Sequence, residues 1–477
     1  MSSINKSKKV LLLSMNNVPL NGDELVEGTG LRWWRMAHGL DAQKSLDVTI
    51  GVWKDFPLIK NEYEDIKLIN WGFGDDSDKK LLDYFDTVIL PMSMSGQSSR
   101  LISYVGNQQQ LIVDAYAPFY VEASTRSGSR TFDMKNDSWY EGMVWAGNEA
   151  LSKADYILYA SDNQKFFYEG LLSGIGGFSP ESAGVERFVE MPGVVEYSKN
   201  QFISKNIKNR DKLTILWFGA LYPWYDIKSL LECFNDRSIS KRAQLLIVGG
   251  SNPMYKKTNL RFNGQYNEAT EYSKKLGIYG KSVFFSDWVS YSERMEVFNK
   301  SDVAISLNAD TLENKYSWRI RVSDLAGNGV PVITNGGDPL GEMLINKGCA
   351  FRTGIDRDSI TRTINSLLDN KELLEDAKAR LEQYKDDLHI NKYAKELSRI
   401  IIESNKPRLE RKVQSFVLHK IHKQAQQIIK LSDFEQDNKI LLAENAILKR
   451  QIQNLPKTVR EHIKYSIKFR IQKNAEK

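Results

Sequence analysis

The strongest constraint on the fold is a rhythm. Short runs that are apolar on almost every residue alternate with stretches of helical spacing, and the pattern occurs in two series. In the first series the runs fall at residues 10–15, 48–52, 66–69, 88–90, 111–113 and 156–159, with helical patterns such as 31–43 and 163–172 between them. In the second they fall at 213–218, 245–248, 283–285, 303–307 and 330–333, with helical patterns at 227–234, 268–276, 292–299 and 318–328. A strand with no polar face is buried on both sides, which calls for a parallel sheet with helices above and below it. Two such units in series predict an α/β chain of two Rossmann-like domains. The polar stretch from Tyr197 to Lys212, rich in Lys and Asn, reads as the connection between them. The expected division is therefore a first domain at 1–198, a linker at 199–212, a second domain at 213–388, a closing helix at 389–405 and a tail at 406–477.

Composition removes whole classes of chemistry. The chain has five histidines, and only His38 lies before residue 388. Ser–His–Asp and Cys–His catalysis and multi-histidine metal centres therefore have nothing to draw on in the body. Two cysteines, Cys233 and Cys349, make no disulfide framework and suit a reducing compartment. Two Asp-x-Asp pairs, Asp76/Asp78 and Asp356/Asp358, follow no strand in the expected setting and read as solvated turns or helix caps.

Charge is unevenly spread. Residues 406–477 carry 17 Lys+Arg against 7 Asp+Glu, and the remainder, 49 against 53, is nearly neutral. A neutral body argues against a nucleic-acid-binding core, and a basic tail favours an acidic partner such as an anionic membrane surface. Within the tail, Leu431, Phe434, Asn438, Leu441, Asn445, Leu448, Ile452 and Leu455 alternate by three and four. Apolar d positions with Asn at a predict a parallel two-stranded coiled coil at about 428–455, and so a homodimer. An amphipathic helix folded back on the body is the alternative. Residues 459–473 intersperse Ile463, Ile467 and Phe469 with Lys464, Lys468 and Arg470, as a helix on an anionic membrane would; a solvated basic helix reads equally well. No run approaches 18 apolar residues, and the N-terminus lacks a signal-peptide pattern. The expected location is the cytoplasm, with the tail peripheral at the cytoplasmic face of the membrane.

Three stretches carry candidate chemistry. Gly28 and Gly30 open a helix after the first strand, where backbone N–H groups can approach a phosphate or sugar. The third glycine of a dinucleotide fingerprint is missing, since Trp33 stands there, and a tight turn without a ligand explains the pair as well. Gly219 ends the first strand of the second series and leads into an aromatic loop containing Trp224 and Tyr225, at the sheet edge where open α/β folds bind ligands. The richest stretch runs from Ser306 to Thr334. A buried strand ends in a polar loop, and a helix beginning with Ser317 carries Arg319 and Arg321. Ser317, Arg319 and the free N–H groups of that helix suit a diphosphate, salt-bridged surface arginines being the other reading.

The order of these blocks, with 284–289 (FFSDWV) and 336–344 (GGDPLGEML), resembles the donor-binding half of GT-B glycosyltransferases, in the large retaining family (family four) acting on bacterial surface glycans. The first half is similar at 28–40, 111–118 (LIVDAYAP), 154–170 and 191–194, so the resemblance covers roughly residues 8–400. It implies a GT-B fold and transfer of a sugar from a nucleotide-sugar donor to a glycan or lipid-linked acceptor in cell-surface polysaccharide synthesis. Retention of configuration is implied too, with no metal and no cofactor besides the donor. The family's Glu-x7-Glu pattern falls on Tyr316 and Asp324. Asp324 is then the ribose ligand, and the carboxylate that contacts the donor sugar is replaced by Tyr316. The family's Arg and Lys after Gly219 are also missing, Ala220 and a Tyr-Pro-Trp-Tyr loop standing there, so Arg319 or Arg321 is expected to supply the lost charge. The donor set implied is Gly28, Gly30, Gly219, Trp224, Asp287, Val289, Ser317, Arg319, Arg321 and Asp324. Arg319 is expected to stabilise the leaving diphosphate. Asp114, at the carboxyl end of its strand, is expected to orient acceptor or donor, with loop bracing or helix capping as the alternative. Two other readings stay open. One is a GT-B epimerase or phosphorylase; the other is an inactive GT-B scaffold that dimerises through the coiled coil, which Tyr316 would favour.

Overall fold

The two series of apolar runs form two separate sheets in the computed structural model. It describes residues 7–403 and 461, apart from 21–25, 59, 61, 64, 73–75, 93–95, 107, 117, 123–136, 179–185, 197–211, 223–224, 226 and 251–263. The first sheet comprises β1 (Lys8–Ser14), β2 (Leu46–Trp53), β3 (Glu62–Tyr63), β4 (Ile66–Trp71), β5 (Thr87–Pro91), β6 (Gln110–Asp114), β7 (Tyr156–Tyr159) and β8 (Phe188–Glu190), in the order β3-β4-β2-β1-β5-β6-β7-β8. The second comprises β9 (Leu213–Phe218), β10 (Ala243–Val248), β11 (Val283–Ser286), β12 (Val303–Ser306), β13 (Val332–Thr334) and β14 (Ala350–Arg352), in the order β11-β10-β9-β12-β13-β14. Every described pairing between these strands is parallel except β3 with β4. The central strands are buried on both faces, as their lack of alternation requires: Val10, Leu11, Leu12 and Leu13 of β1 are each 0% exposed. β3, β8 and β14 escape sequence reading because two or three residues cannot display a period.

In both sheets the domain's first strand lies inside and the chain builds outward first on one side, then on the other. The strand order reverses beside β1 and beside β9, and the crevice at such a switch point is where open α/β sheets bind ligands. The helix after β1, Gly28–Asp41, packs Trp33, Trp34, Met36 and Leu40 into the core. Trp33 and Trp34 are thus core residues.

The closing helix packs on the domain it does not follow in sequence. Ile390–Glu403 buries Ile390, Tyr393, Ala394, Leu397 and Ile401, one face of a 3.6-residue period, but against the first domain. A Cβ on Gly39 of the Gly28–Asp41 helix would lie 2.8 Å from that of Ala394. Lys8 Nζ donates to the carbonyl of Ile401 (2.8 Å), and the Ile390 N–H donates to that of Val195 (2.8 Å). The chain therefore returns across the domain junction after its second sheet. The predicted coiled coil at 428–455 and the basic helix at 459–473 lie outside the described residues. Among the described residues no helix is long and apolar enough to cross a membrane.

Candidate functional site

A cleft of about 340 Å³ lies between the domains. The turn Val26–Thr29, Leu31 and Tyr116 face it from the first domain. Phe218–Ala220, Tyr222, Tyr225, Trp288, Glu313, Ser317–Arg321 and Asp324 face it from the second. A recess of about 50 Å³ continues from it, lined by Trp288, Val289, Tyr291, Arg294 and Asp324 among others. A larger cavity of about 480 Å³, between β8 and the Ile390–Glu403 helix, shares no residue with either.

Local backbone chemistry sets the second-domain wall. Gly219 has φ +95°, a left-handed conformation open to glycine, and its N–H donates to the Val248 carbonyl (2.8 Å). A Cβ there would lie 3.3 Å from the Arg321 guanidinium carbon. The missing side chain thus lets Arg321 lie over the turn. Arg321 donates to the Ala220 carbonyl (3.1 Å) and stacks on Tyr225, 4.7 Å from the ring centre. Among the described residues it forms no ion pair. A half-buried guanidinium without a counter-ion, on a cleft wall, is a site for an anion.

Arg319 is placed differently. Its Nη1 and Nη2 donate to Glu313 Oε1 and Oε2 at 2.9 and 2.7 Å, and Nη2 also reaches Asn314 Oδ1 at 3.0 Å. Glu313 is 4% exposed and Arg319 7%. This is a closed, buried ion pair whose charge is already compensated. The expectation that Arg319 holds the diphosphate is therefore corrected: it pins the loop, and Arg321 is the available cation. The helix also starts later than expected. It spans Ile320–Gly327 with Arg319 as N-cap, after a short helix Leu312–Tyr316. Ser317 sits in the extended link between the two and donates to Glu313 Oε1 (2.5 Å) while lining the cleft.

Asp324 reaches both the cleft and the recess, yet is 1% exposed. Its Oδ1 accepts from Arg35 Nη2 (2.5 Å), and its Oδ2 lies 3.9 Å from Arg294 Nε. Arg35 and Arg294 also both bind Glu196. Burial pushes the Glu196 carboxyl up, but the two guanidinium groups outweigh it and hold it down to about 2.

The remaining expected residues divide. Gly28 and Val289 line the cleft and the recess respectively. Gly30 faces packing instead, since a Cβ there would lie 2.0 Å from the Asn17 carbonyl oxygen. Asp287 is exposed and lines neither cavity. Trp224 lies outside the described residues; Tyr222 and Tyr225 of the same loop do line the cleft. Asp114 accepts from Arg32 at both oxygens, Nε to Oδ2 and Nη2 to Oδ1, each at 2.7 Å. Arg32 in turn lies over Tyr116, 4.4 Å from its ring centre. Asp114 braces the cleft wall through Arg32 and Tyr116 and does not itself line the cleft, which is the loop-bracing alternative. Of the Asp-x-Asp pairs, Asp356 caps the helix Arg357–Asp369. Asp78 is buried, bound to the Gly72 N–H and Arg100, rather than solvated. Neither pair borders the cleft.

Tyr316 is absent from the cleft lining because it serves the domain junction. Its ring meets Phe167 (5.0 Å between centres), and its carbonyl accepts from Gln164 Nε2 (2.7 Å). Trp318 Nε1 donates to Gly193 of the first domain (3.2 Å), and the Tyr116 hydroxyl donates to the Trp318 carbonyl. Sequence reasoning missed Glu313, Arg35, Arg294 and Trp288. Only Glu313 left a local signal, an acidic residue six positions before an arginine at a helix start.

Comparison with known proteins fits this geometry. Residues 198–384 match the family model described as glycosyl transferases group 1. No curated protein sequence matches the chain. Among solved structures, sucrose-phosphate synthase from Thermosynechococcus elongatus is similar at a TM-score of 0.59 and 12% identity, covering 83% of this chain and 98% of that one. WaaG, a glycosyltransferase involved in lipopolysaccharide biosynthesis, is similar at 0.54 and 14%, covering 83% and 100%. Anabaena HepE, in complex with UDP and glucose, is similar at 0.55 and 12%, again covering 83% and 100%. At such identities the likeness to the solved structures is one of fold.

Proposed function

We propose that the chain is a nucleotide-sugar-dependent glycosyltransferase of the GT-B fold, in keeping with the match of residues 198–384 to the glycosyl transferases group 1 model, and that the interdomain cleft binds the donor with its diphosphate on Arg321. The observation that carries the reading is the guanidinium of Arg321, which forms no ion pair among the described residues, set over the Gly219 turn. The starts of two helices, at Gly28–Thr29 and Ile320–Arg321, line the same cleft, and helix N-termini favour negative charge. As the bond from the anomeric carbon to the diphosphate oxygen breaks, negative charge grows on the leaving group. Fixed donors in a half-closed cleft stabilise it without reorganising. The acceptor hydroxyl oxygen bonds to the anomeric carbon, and its proton passes to the departing phosphate. This front-side course retains configuration and requires neither metal nor a protein general base, in keeping with the engagement of Asp114 by Arg32.

We read the acceptor as a glycan or lipid-linked sugar of cell-surface polysaccharide synthesis. The likeness to WaaG and the excess of basic residues after 405 support this, with the tail drawing the enzyme to the cytoplasmic face of an anionic membrane and pairing two copies through the coiled coil. The test is release of nucleoside diphosphate from a panel of UDP-, GDP- and ADP-sugars, in the presence of membrane lipid extract, by wild type and Arg321→Ala. Turnover by wild type and its loss in the variant support the assignment. An inactive scaffold is the second reading, favoured by the displacement of Tyr316 from the cleft; it predicts binding or assembly without turnover.

A further inference from the structure

Four charged side chains from four segments meet beneath the cleft: Arg35 of the Gly28–Asp41 helix, Glu196, Arg294 and Asp324. Arg35 is 1% exposed, Arg294 4% and Asp324 1%. Arg35 clamps one oxygen of Asp324, its Nη2 lying 2.5 Å from Oδ1, while its Nε is bound by Glu196. The other oxygen, Oδ2, accepts no hydrogen bond among the described residues and lies 3.9 Å from Arg294 Nε, in a residue that borders both cleft and recess. Arg294 Nε and Nη1 and Arg35 Nη1 are buried without hydrogen-bond partners among the described residues. Buried donors left open cost free energy unless something else pairs with them.

We propose that Arg35 is a positioning residue. Reaching across from the first domain, it fixes the Asp324 carboxylate so that Oδ2 accepts from the ribose hydroxyls of the donor nucleotide. The inference rests on the reading of the cleft as the donor site. An ionised carboxylate is acceptor-only, and vicinal hydroxyls are the donors that suit it. With one oxygen held by a guanidinium that is itself held by Glu196, the carboxylate cannot rotate, and its second oxygen has one direction. The ribose subsite is thus completed only when the two domains meet. Lysine cannot replace Arg35, because one ammonium cannot reproduce two bonds made from separate nitrogens of a planar fork.

The test is calorimetric titration of full-length wild type, Arg35→Lys, Arg35→Met and Asp324→Asn with UDP, GDP and ADP and with the 2′,3′-dideoxy form of each. Wild type should bind one ribonucleotide on the order of 10- to 100-fold more tightly than its dideoxy form, the scale of hydrogen bonds to a charged group. Both Arg35 variants should lose most of that gap while binding the dideoxy compound within about threefold of wild type. Asp324→Asn, which keeps the Arg35–Glu196 pair, should lose the gap as well. A gap that survives in Arg35→Lys, or an equal fall for both ligands, overturns the positioning role, because general loosening would not single out the ribose. No gap in wild type overturns the inference and leaves the donor site standing. No binding of any nucleotide by wild type removes the donor-site reading itself, and this inference with it.

Discussion

Arg319 and Arg321 stand two residues apart at the start of one helix, and their alanine variants should fail in opposite ways. Arg321→Ala removes one bond to the Ala220 carbonyl and one stacking contact on Tyr225. Those together are worth about 1–2 kcal/mol, so the protein should stay folded. If the guanidinium binds the diphosphate, each charge-assisted hydrogen bond lost costs about 1.5–3 kcal/mol, so nucleoside diphosphate affinity should fall roughly 10- to 150-fold. Arg319→Ala instead strands Glu313, whose carboxylate is 4% exposed and bound at both oxygens by Arg319. Removing one member of such a buried pair typically costs about 3–5 kcal/mol, a large part of the roughly 5–15 kcal/mol that holds a domain together. Urea unfolding of the two variants, with calorimetric titration of UDP, GDP and ADP, separates the cases. An Arg319→Ala protein as stable as wild type that no longer binds nucleotide, beside an Arg321→Ala protein that binds normally, would refute the reasoning.

Other expectations follow from the same geometry. Gly219→Val should cost about 1–2 kcal/mol of backbone strain at φ +95° and also weaken nucleotide binding by crowding Arg321; full affinity in that variant would detach the turn from the site. Stability should fall in two acid steps. His389, buried and accepting a hydrogen bond at Nδ1 from the Asn391 N–H, is pushed down to about 4, so the unfolded chain takes up its proton first and stability is lost as pH falls from about 6.5 to 4. Glu196, held at about 2, contributes stability that is present above about 4.5 and lost as pH falls toward 2; Glu196→Gln should flatten that lower step, and an unchanged step assigns it elsewhere. Truncation after Ser404 should give a monomer with unchanged nucleotide affinity, measured by sedimentation and calorimetry; a truncated dimer would contradict the coiled-coil assignment.

The frame of the fold was legible because parallel strands write their burial plainly: the run Leu-Leu-Leu of β1 admits no exposed face, and the same holds for β9. What depended on charge pairing was not. Arg319 and Arg321 look alike in sequence, and only the placement of Glu313, folded back from the preceding short helix, separates a buried brace from a cleft-facing cation. Asp114 looked functional because it ends a strand at the cleft edge, but Arg32, 82 positions earlier, takes both its oxygens. Arg35 and Asp324 are 289 positions apart. No spacing rule joins them, because their contact is made by two domains meeting rather than by any local period. The return of the Ile390–Glu403 helix to the first domain was hidden for the same reason: its amphipathic pattern fixes which face is buried but not against which domain.

The most direct test of the cleft as a nucleotide-sugar site is thermal unfolding of the full-length protein against UDP, GDP, ADP, CMP and dTDP, in wild type and Arg321→Ala. A nucleotide present at 100 times its dissociation constant stabilises by about 2.7 kcal/mol, which for domains of this size is a shift of several degrees. The account predicts that one nucleotide raises the melting temperature of wild type and raises that of Arg321→Ala much less. A wild type indifferent to all five, or a variant that responds as strongly as wild type, would contradict it.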